Sequence, residues 1–279
     1  MGRRRAYPSD LTDEQWAVIE LILPLIKEPG RVPKHPRRDI VDAILYVIVG
    51  GVSWRQLPAD FPPWQTVYWQ FRQWERRGVT ERIVWVLREE LRVDAGRDPQ
   101  PSAGIIDSQS VKGADTVGSD SRGYDAGKKI NGRRRFIVTD TMGLLVTVWV
   151  LAASWQDRDG GRGALVAAMA ATPSLRLVFA DQGFAGRFVD WCDSVLGLAV
   201  EIVRPPAGQR GFQVHRRRWV VERTLAWLTA CRRLARDYER HPAVSEAMIR
   251  WAAINQMVRR LTRGGPSRRQ RRRTFDWPD

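Results

Sequence analysis

The chain has 279 residues and a 43% hydrophobic content, enough for one small and one larger domain, each with a packed core. Lys and Arg number 46 against 31 acidic residues, a net charge of +15 carried almost wholly by Arg. The two cysteines, Cys192 and Cys231, lie outside any ligand-spaced motif, which excludes a disulfide framework and a zinc site.

The arginine excess points to nucleic acid, because guanidinium forks onto phosphate and stacks on bases. A GC-rich genome also writes Arg for Lys, but that does not account for the net charge. The basic start lacks an apolar core of the signal-peptide kind. The longest apolar run, Leu144 to Ala153, is too short to span a bilayer. A soluble, cytoplasmic protein with no membrane partner is expected.

Residues 1–92 read as a small helical domain. Thr12-Asp-Glu-Gln15 is a capping box that opens a helix with Trp16, Ile19, Ile22 and Leu23 on one face. A second helix over 37–49 stops at Gly50-Gly51. A short stretch, Ser53 to Leu57, ends at Pro58. Pro63 opens a third helix to about Arg77, with Gly78 as its stop. Val67, Phe71 and Trp74 face inward; Gln65, Tyr68, Arg72 and Arg76 face largely outward. Trp69, like Trp74, is expected in the core.

Residues 93–102 are a linker by composition. The pattern then changes. Ala103 to Asp107 predicts a short strand, and the polar, Gly-rich stretch Ser108 to Arg133 a loop. Phe136 to Thr139, a turn at 140–143 and Leu144 to Ala153 predict a hairpin. Helices follow over 161–171 and 185–196, with strands over 175–180 and 198–203. A long helix is predicted from His215 to Tyr238 and another from Ala243 to Leu261. Residues 263–279 read as a basic, disordered tail. The order over 103–262 predicts an α/β domain: a mixed sheet flanked by helices, in the order of a ribonuclease H-like fold.

Three carboxylates stand out. Asp107 and Asp181 each follow an apolar strand, where ligands collect at the carboxyl edge of such sheets. Glu222 lies within the long helix, near one stripe with His215, Arg218, Thr229 and Arg233. Three carboxylates can hold two divalent ions about 3.5–4 Å apart, which stabilise the attacking and leaving oxygens of an in-line phosphoryl displacement. Mg²⁺ suits such a site, with Mn²⁺ as a substitute. Each residue alone also has an ordinary reading: a turn or helix cap for the aspartates, a salt bridge for Glu222. Glu201 and Asp190 lie near Glu222 in sequence. Asp157 and Asp159 compete as candidates, but they precede a helix, where capping is the expected role.

Five segments carry a resemblance: Gly104 to Gly113, Gly123 to Lys129, Trp155 to Gly160, Ala180 to Phe184 and Arg218 to Trp227. They resemble the bacterial DDE transposases of the insertion-sequence-five family. Leu11 to Trp16 and Gly50 to Pro58 resemble the N-terminal domain of one branch. The likeness covers about residues 7–262. It implies a ribonuclease H-like core, the catalytic and metal-binding triad Asp107, Asp181 and Glu222, and terminal inverted repeats as substrate. The family's last motif spaces Tyr, Arg, Glu and Lys along one helix. Arg218 and Glu222 match; His215 and Thr229 stand at the Tyr and Lys positions. Arg232 or Arg233, one turn further, is the expected replacement for the Lys.

Arg55, Gln65, Tyr68, Arg72 and Arg76 are the expected DNA-reading face of a helix-turn-helix. Lys128, Lys129 and Arg133 to Arg135 are expected to clamp phosphates near the metal centre. Arg268 to Arg273 would add nonspecific phosphate contacts. The expected activity is transposition: binding of double-stranded terminal repeats, cleavage, and joining of 3′ ends to target DNA by a homo-oligomer. The alternatives are a nuclease of the same fold that never joins strands, and a DNA-binding regulator descended from a transposase.

Overall fold

The computed structural model describes residues 5–25, 33–204 and 216–264, with the backbone alone at 216–218. The chain opens with α1 (Asp13–Ile22). Its capping box is formed: Thr12 Oγ1 accepts the Gln15 N–H (3.2 Å), and Gln15 Oε1 accepts the Thr12 N–H (3.0 Å). The second helix, α2 (Arg37–Gly50), stops where Gly51 turns left-handed at φ +77°. A Cβ at Gly51 would stand 2.8 Å from Arg232 Cβ, so close approach as well as φ requires the glycine. A short 3₁₀ turn spans Trp54–Gln56. Pro63 precedes α3 (Trp64–Arg76), and Gly78 both ends that stretch and starts α4 (Val79–Asp94).

Among the described residues the sheet has six strands: β1 (Ala103–Lys112), β2 (Gly123–Asp125), β3 (Ile130–Asp140), β4 (Leu145–Ala152), β5 (Leu177–Ala180) and β6 (Ala199–Ile202). β1 is central, antiparallel to β3 and parallel to β5, with β6 parallel beyond β5. The far edge of β3 takes β2 and β4. Between the last strands lie α5 (Asp157–Ala171) and α6 (Arg187–Leu196); α7 (Arg216–Thr229) and α8 (Pro242–Leu261) follow. This is the mixed, helix-flanked sheet that the chain order implies.

Strand alternation sorts side chains to two faces. Ile106, Phe136, Val138 and Val178 pack with α5 and α6. Ile105, Ile137 and Phe179 share the other core with α7, α8 and the first four helices. α8 is enclosed on most sides, and its Trp251, 0% exposed, lies 5.8 Å from Trp74. Apolar packing therefore runs unbroken from the N-terminal helices through α8 to the sheet.

Three local expectations are corrected. First, β1 runs to Lys112, and Ser108 to Arg133 is not a loop but half strand. Its polar residues look loop-like because their partners come from elsewhere: Ser110 Oγ donates to Asp125 Oδ2 (2.6 Å), and the backbone ladder continues opposite β3. Second, the long helix ends at Thr229. The chain makes a 3₁₀ turn at Arg232–Leu234 and then lies beside the end of β1, with Asp237 N–H on Lys112 O (3.0 Å) and Ala114 N–H on Asp237 O (2.7 Å). Arg135 takes the carbonyl of Leu234, an acceptor that a helix continuing to Tyr238 would use internally, and Arg133 takes those of Glu239 and Arg240. Third, Trp69 is 60% exposed rather than in the core, whereas Trp74 is buried. Among the described residues no helix is long and apolar enough to cross a membrane.

Candidate active site and nucleic-acid interface

Asp107 does not end its strand; it lies mid-way along β1. What ends there is the neighbour. β5 pairs Ile105 with Phe179 and stops at Ala180, while β1 continues. The pairing ends at Ile105 and Phe179; extending its register by two residues sets Asp107 level with Asp181. Alternation sends Asp107 to the face of Ile105, the face covered by α7. Asp107 Oδ1 accepts its neighbour's Ser108 N–H (2.7 Å), and Asp181 Oδ1 accepts the Gly183 N–H (2.9 Å) at the start of a 3₁₀ turn. Both aspartates are half-buried.

Glu222 is carried by α7, whose Val221, Leu225 and Leu228 pack into the core on that same face. Glu222 borders this apolar stripe and is half-buried. Next to it, Arg223 is sandwiched between the rings of Trp219 (4.7 Å) and Trp227 (4.8 Å). Among the other acids, Glu201 is paired opposite Phe179, two residues short of the Asp181 level, and Asp190 rides on α6 across the sheet. Among the described residues no three His, Cys, Asp or Glu side chains converge closely enough to hold a metal ion as they stand. The fold thus brings Asp107 and Asp181 to one level of one edge and sets the helix of Glu222 over that face, without closing the three into a cluster.

Asp157 does not act as a cap by side-chain hydrogen bond. It is the first residue of α5, and Gln156 holds the N-cap position without such a bond. Asp157 Oδ1 instead accepts from Ser108 Oγ (2.5 Å) and from Arg134 Nη1 (3.2 Å).

The expected DNA contacts divide. Arg55, Gln65 and Arg76 are exposed, Arg55 lying over the Trp64 ring at 5.4 Å. Tyr68 is turned inward, with its ring 5.3 Å from Trp54 and 6.2 Å from Phe71, and Arg72 is drawn to Glu75 (3.7 Å). Lys128 and Lys129 are exposed in the turn between β2 and β3, where Lys129 holds φ +53°. Arg133, Arg134 and Arg135 are buried and cannot clamp phosphate. Arg133 pairs with Asp237, Arg134 with Asp125 and Asp157, and Arg135 Nη1 donates to Leu234 O (2.7 Å). Arg233 is likewise buried, held by Glu239 (2.8 Å) and Val52 O (3.1 Å), so it does not replace a helical Lys on α7; Arg232 is exposed beside Gly51. His215, the side chain of Arg218 and the tail Arg268 to Arg273 lie outside the described residues.

Comparison with known proteins supplies the family. Residues 98–255 match the family described as "Transposase DDE domain", and residues 11–84 match "Putative transposase of IS4/5 family". The "Insertion element IS402 uncharacterized 16.2 kDa protein" of Burkholderia cepacia is 33% identical over 109 residues, 37% of this chain and 72% of that protein. "Uncharacterized protein y4sN" of Sinorhizobium fredii (strain NBRC 101917 / NGR234) is 30% identical over 80 residues, 29% of this chain and 64% of that protein.

The chain is a DDE transposase of the IS4/5 family.

For a DDE transposase the mixed sheet is a ribonuclease H-like core, DNA is the partner, and divalent metal ions are the usual cofactor of the domain. The donors present fit such an ion chemically: carboxylate oxygens are hard ligands of the kind Mg²⁺ takes, and two of them share one level of the sheet edge. Asp157 reads as a cap in the sequence and is a bridging acceptor in the fold. The motif Trp155-Gln-Asp-Arg-Asp-Gly160 carries the signal, but its contact with Ser108 depends on α5 docking across β1, which no local pattern encodes.

Proposed function

We propose that this transposase binds the terminal inverted repeats of its element in the bacterial cytoplasm, cleaves them, and joins the 3′ ends to target DNA. Asp107, Asp181 and Glu222 are the residues that would hold two Mg²⁺ ions, or Mn²⁺ in their place. The observation that carries this reading is the shared level of Asp107 and Asp181 where β5 stops, on the face that α7 covers with Glu222. Bound metal would supply charge stabilisation to the attacking and leaving oxygens, so that water or a 3′-hydroxyl serves as nucleophile at one centre. The chain's own contribution is placement. The Ser108 and Gly183 N–H groups each fix one aspartate oxygen, and the packed face of α7 fixes the approach of Glu222. Residues 1–92 act as the DNA-reading unit through Arg55, Gln65 and Arg76, with Arg232 nearby and Lys128 and Lys129 on the catalytic unit, residues 103–262. Residues 93–102 connect the two, and a homo-oligomer bridges two ends.

The test supplies terminal-repeat duplexes, pre-cut ends and a target plasmid with Mg²⁺. Asp107→Asn, Asp181→Asn and Glu222→Gln each lose nicking by about a hundredfold or more, with DNA binding kept. Glu201→Gln serves as the control that retains activity. Full activity in all three variants sinks the triad. Nicking without any joined product from pre-cut ends means a nuclease instead.

A further inference from the structure

We infer that Asp157 is a positioning residue for the metal-binding carboxylates, acting through Ser108 on one side and Gly183 on the other. The inference rests on the reading of Asp107 and Asp181 as metal ligands.

Successive residues of a strand point to opposite faces, so Ser108 turns away from Asp107 toward α5. There its hydroxyl donates to Asp157 Oδ1 (2.5 Å), while its backbone N–H donates to Asp107 Oδ1 (2.7 Å). One residue thus links both acids. The second oxygen of Asp157 reaches the turn that holds Asp181. A Cβ at Gly183 would stand 2.9 Å from Asp157 Oδ2 and 3.0 Å from Asp181 Oδ1, so both carboxylates crowd this one backbone position. A side chain there would push at least the Asp157 oxygen aside. The Gly183 N–H is the donor to Asp181 (2.9 Å).

Asp157 is itself anchored. Arg134 Nη1 donates to it (3.2 Å) and to Trp155 O (2.7 Å), its Nε donates to Ser110 Oγ (3.2 Å), and its Nη2 pairs with Asp125. Gly160, one turn further along α5, has no room for a Cβ, which would meet Phe136 Cζ at 2.2 Å; α5 is thereby seated hard on β3. Asp157 is therefore a fixed acceptor spanning the two segments that carry Asp107 and Asp181. Partners of this kind, touching the groups next to metal ligands, typically change metal affinity or activity about 10–100-fold when removed.

The experiment uses the full chain with Mn²⁺ alone as probe, free Mn²⁺ being followed by electron paramagnetic resonance. The Mg²⁺ midpoint for nicking and the metal-free thermal midpoint are measured alongside. Asp157→Ala, Ser108→Ala and Gly183→Ala are each expected to raise the Mn²⁺ half-saturation about 10-fold. Ser108→Ala keeps its metal-free thermal midpoint and recovers nicking at high Mg²⁺. Asp181→Asn is the reference for removal of a ligand. If Asp181→Asn weakens Mn²⁺ binding while Asp157→Ala and Ser108→Ala bind as the parent does, the positioning role is overturned and the metal site stands. If Asp181→Asn binds Mn²⁺ unchanged, the metal reading falls and this inference falls with it.

Discussion

Arg133 and Asp237 form an ion pair (Nη1–Oδ1 3.3 Å) with both side chains wholly enclosed, joining the middle of the sheet to the turn that follows α7. The same guanidinium donates to the carbonyls of Glu239 (2.7 Å) and Arg240 (2.8 Å), and Asp237 accepts from Ser245 Oγ (2.7 Å) and the Glu239 N–H (2.9 Å). Breaking such a pair strands a buried charge. Asp237→Ala is expected to cost about 3–5 kcal/mol in urea unfolding. A loss under about 1 kcal/mol would mean that water reaches Arg133 in solution.

The basic residues near β3 should separate by experiment into two kinds. Lys128→Ala with Lys129→Ala lowers the salt slope of binding to B-DNA by about 0.9 for each phosphate no longer neutralised, and leaves stability within about 0.5 kcal/mol. Arg135→Ala does the reverse: it lowers stability, because the carbonyl of Leu234 is left without its donor. An unchanged salt slope in the double lysine variant removes both from the DNA interface.

Trp251 on α8 packs on Trp74 of α3, which makes α8 the shared wall of the N-terminal helices and the sheet. Trp251→Ala is expected to cost about 3–5 kcal/mol. It lowers one common unfolding transition. Two separate transitions, with only one of them shifted, would show that the helical region melts on its own.

Acid should weaken the protein through Asp125. Burial pushes this carboxyl up, but hydrogen bonds from Ser110, the Lys128 N–H and Arg134 outweigh it and hold it at about 2, against an ordinary value of 3.8. A depressed carboxylate stabilises the fold above its unfolded value and loses that contribution as pH falls through the folded one. The window therefore runs from about pH 4 down to about pH 2, for roughly 2 kcal/mol. Asp125→Asn is expected to flatten the stability profile across that window, measured by denaturant unfolding at stepped pH.

Chelation should divide binding from chemistry. With metal removed, nicking stops while gel-shift binding to the terminal-repeat duplex persists, and Mg²⁺ or Mn²⁺ restores nicking. Nicking that survives exhaustive chelation would remove the metal role of the carboxylates.

Much of this architecture is legible in the chain because it is written locally. The Thr12 capping box, the stops at Gly51 and Gly78, and the apolar runs before Asp107 and Asp181 each depend on residues within one turn or one strand. Composition points to a nucleic-acid partner, and the motifs narrow that to DNA. What the tertiary structure decided is the use of residues whose partners lie far off. Arg133 to Arg135 look like a phosphate clamp in sequence, yet the three buried guanidiniums donate to carbonyls, carboxylates and hydroxyls up to 107 residues away. α7 stops at Thr229, and the segment after it is held by those arginines through the carbonyls of Leu234, Glu239 and Arg240. Asp107 owes its place at an edge to the end of β5, and Asp157 owes its contact with Ser108 to the docking of α5. A charge can be buried only where acceptors or opposite charges surround it, and that surrounding exists only once the chain has closed on itself.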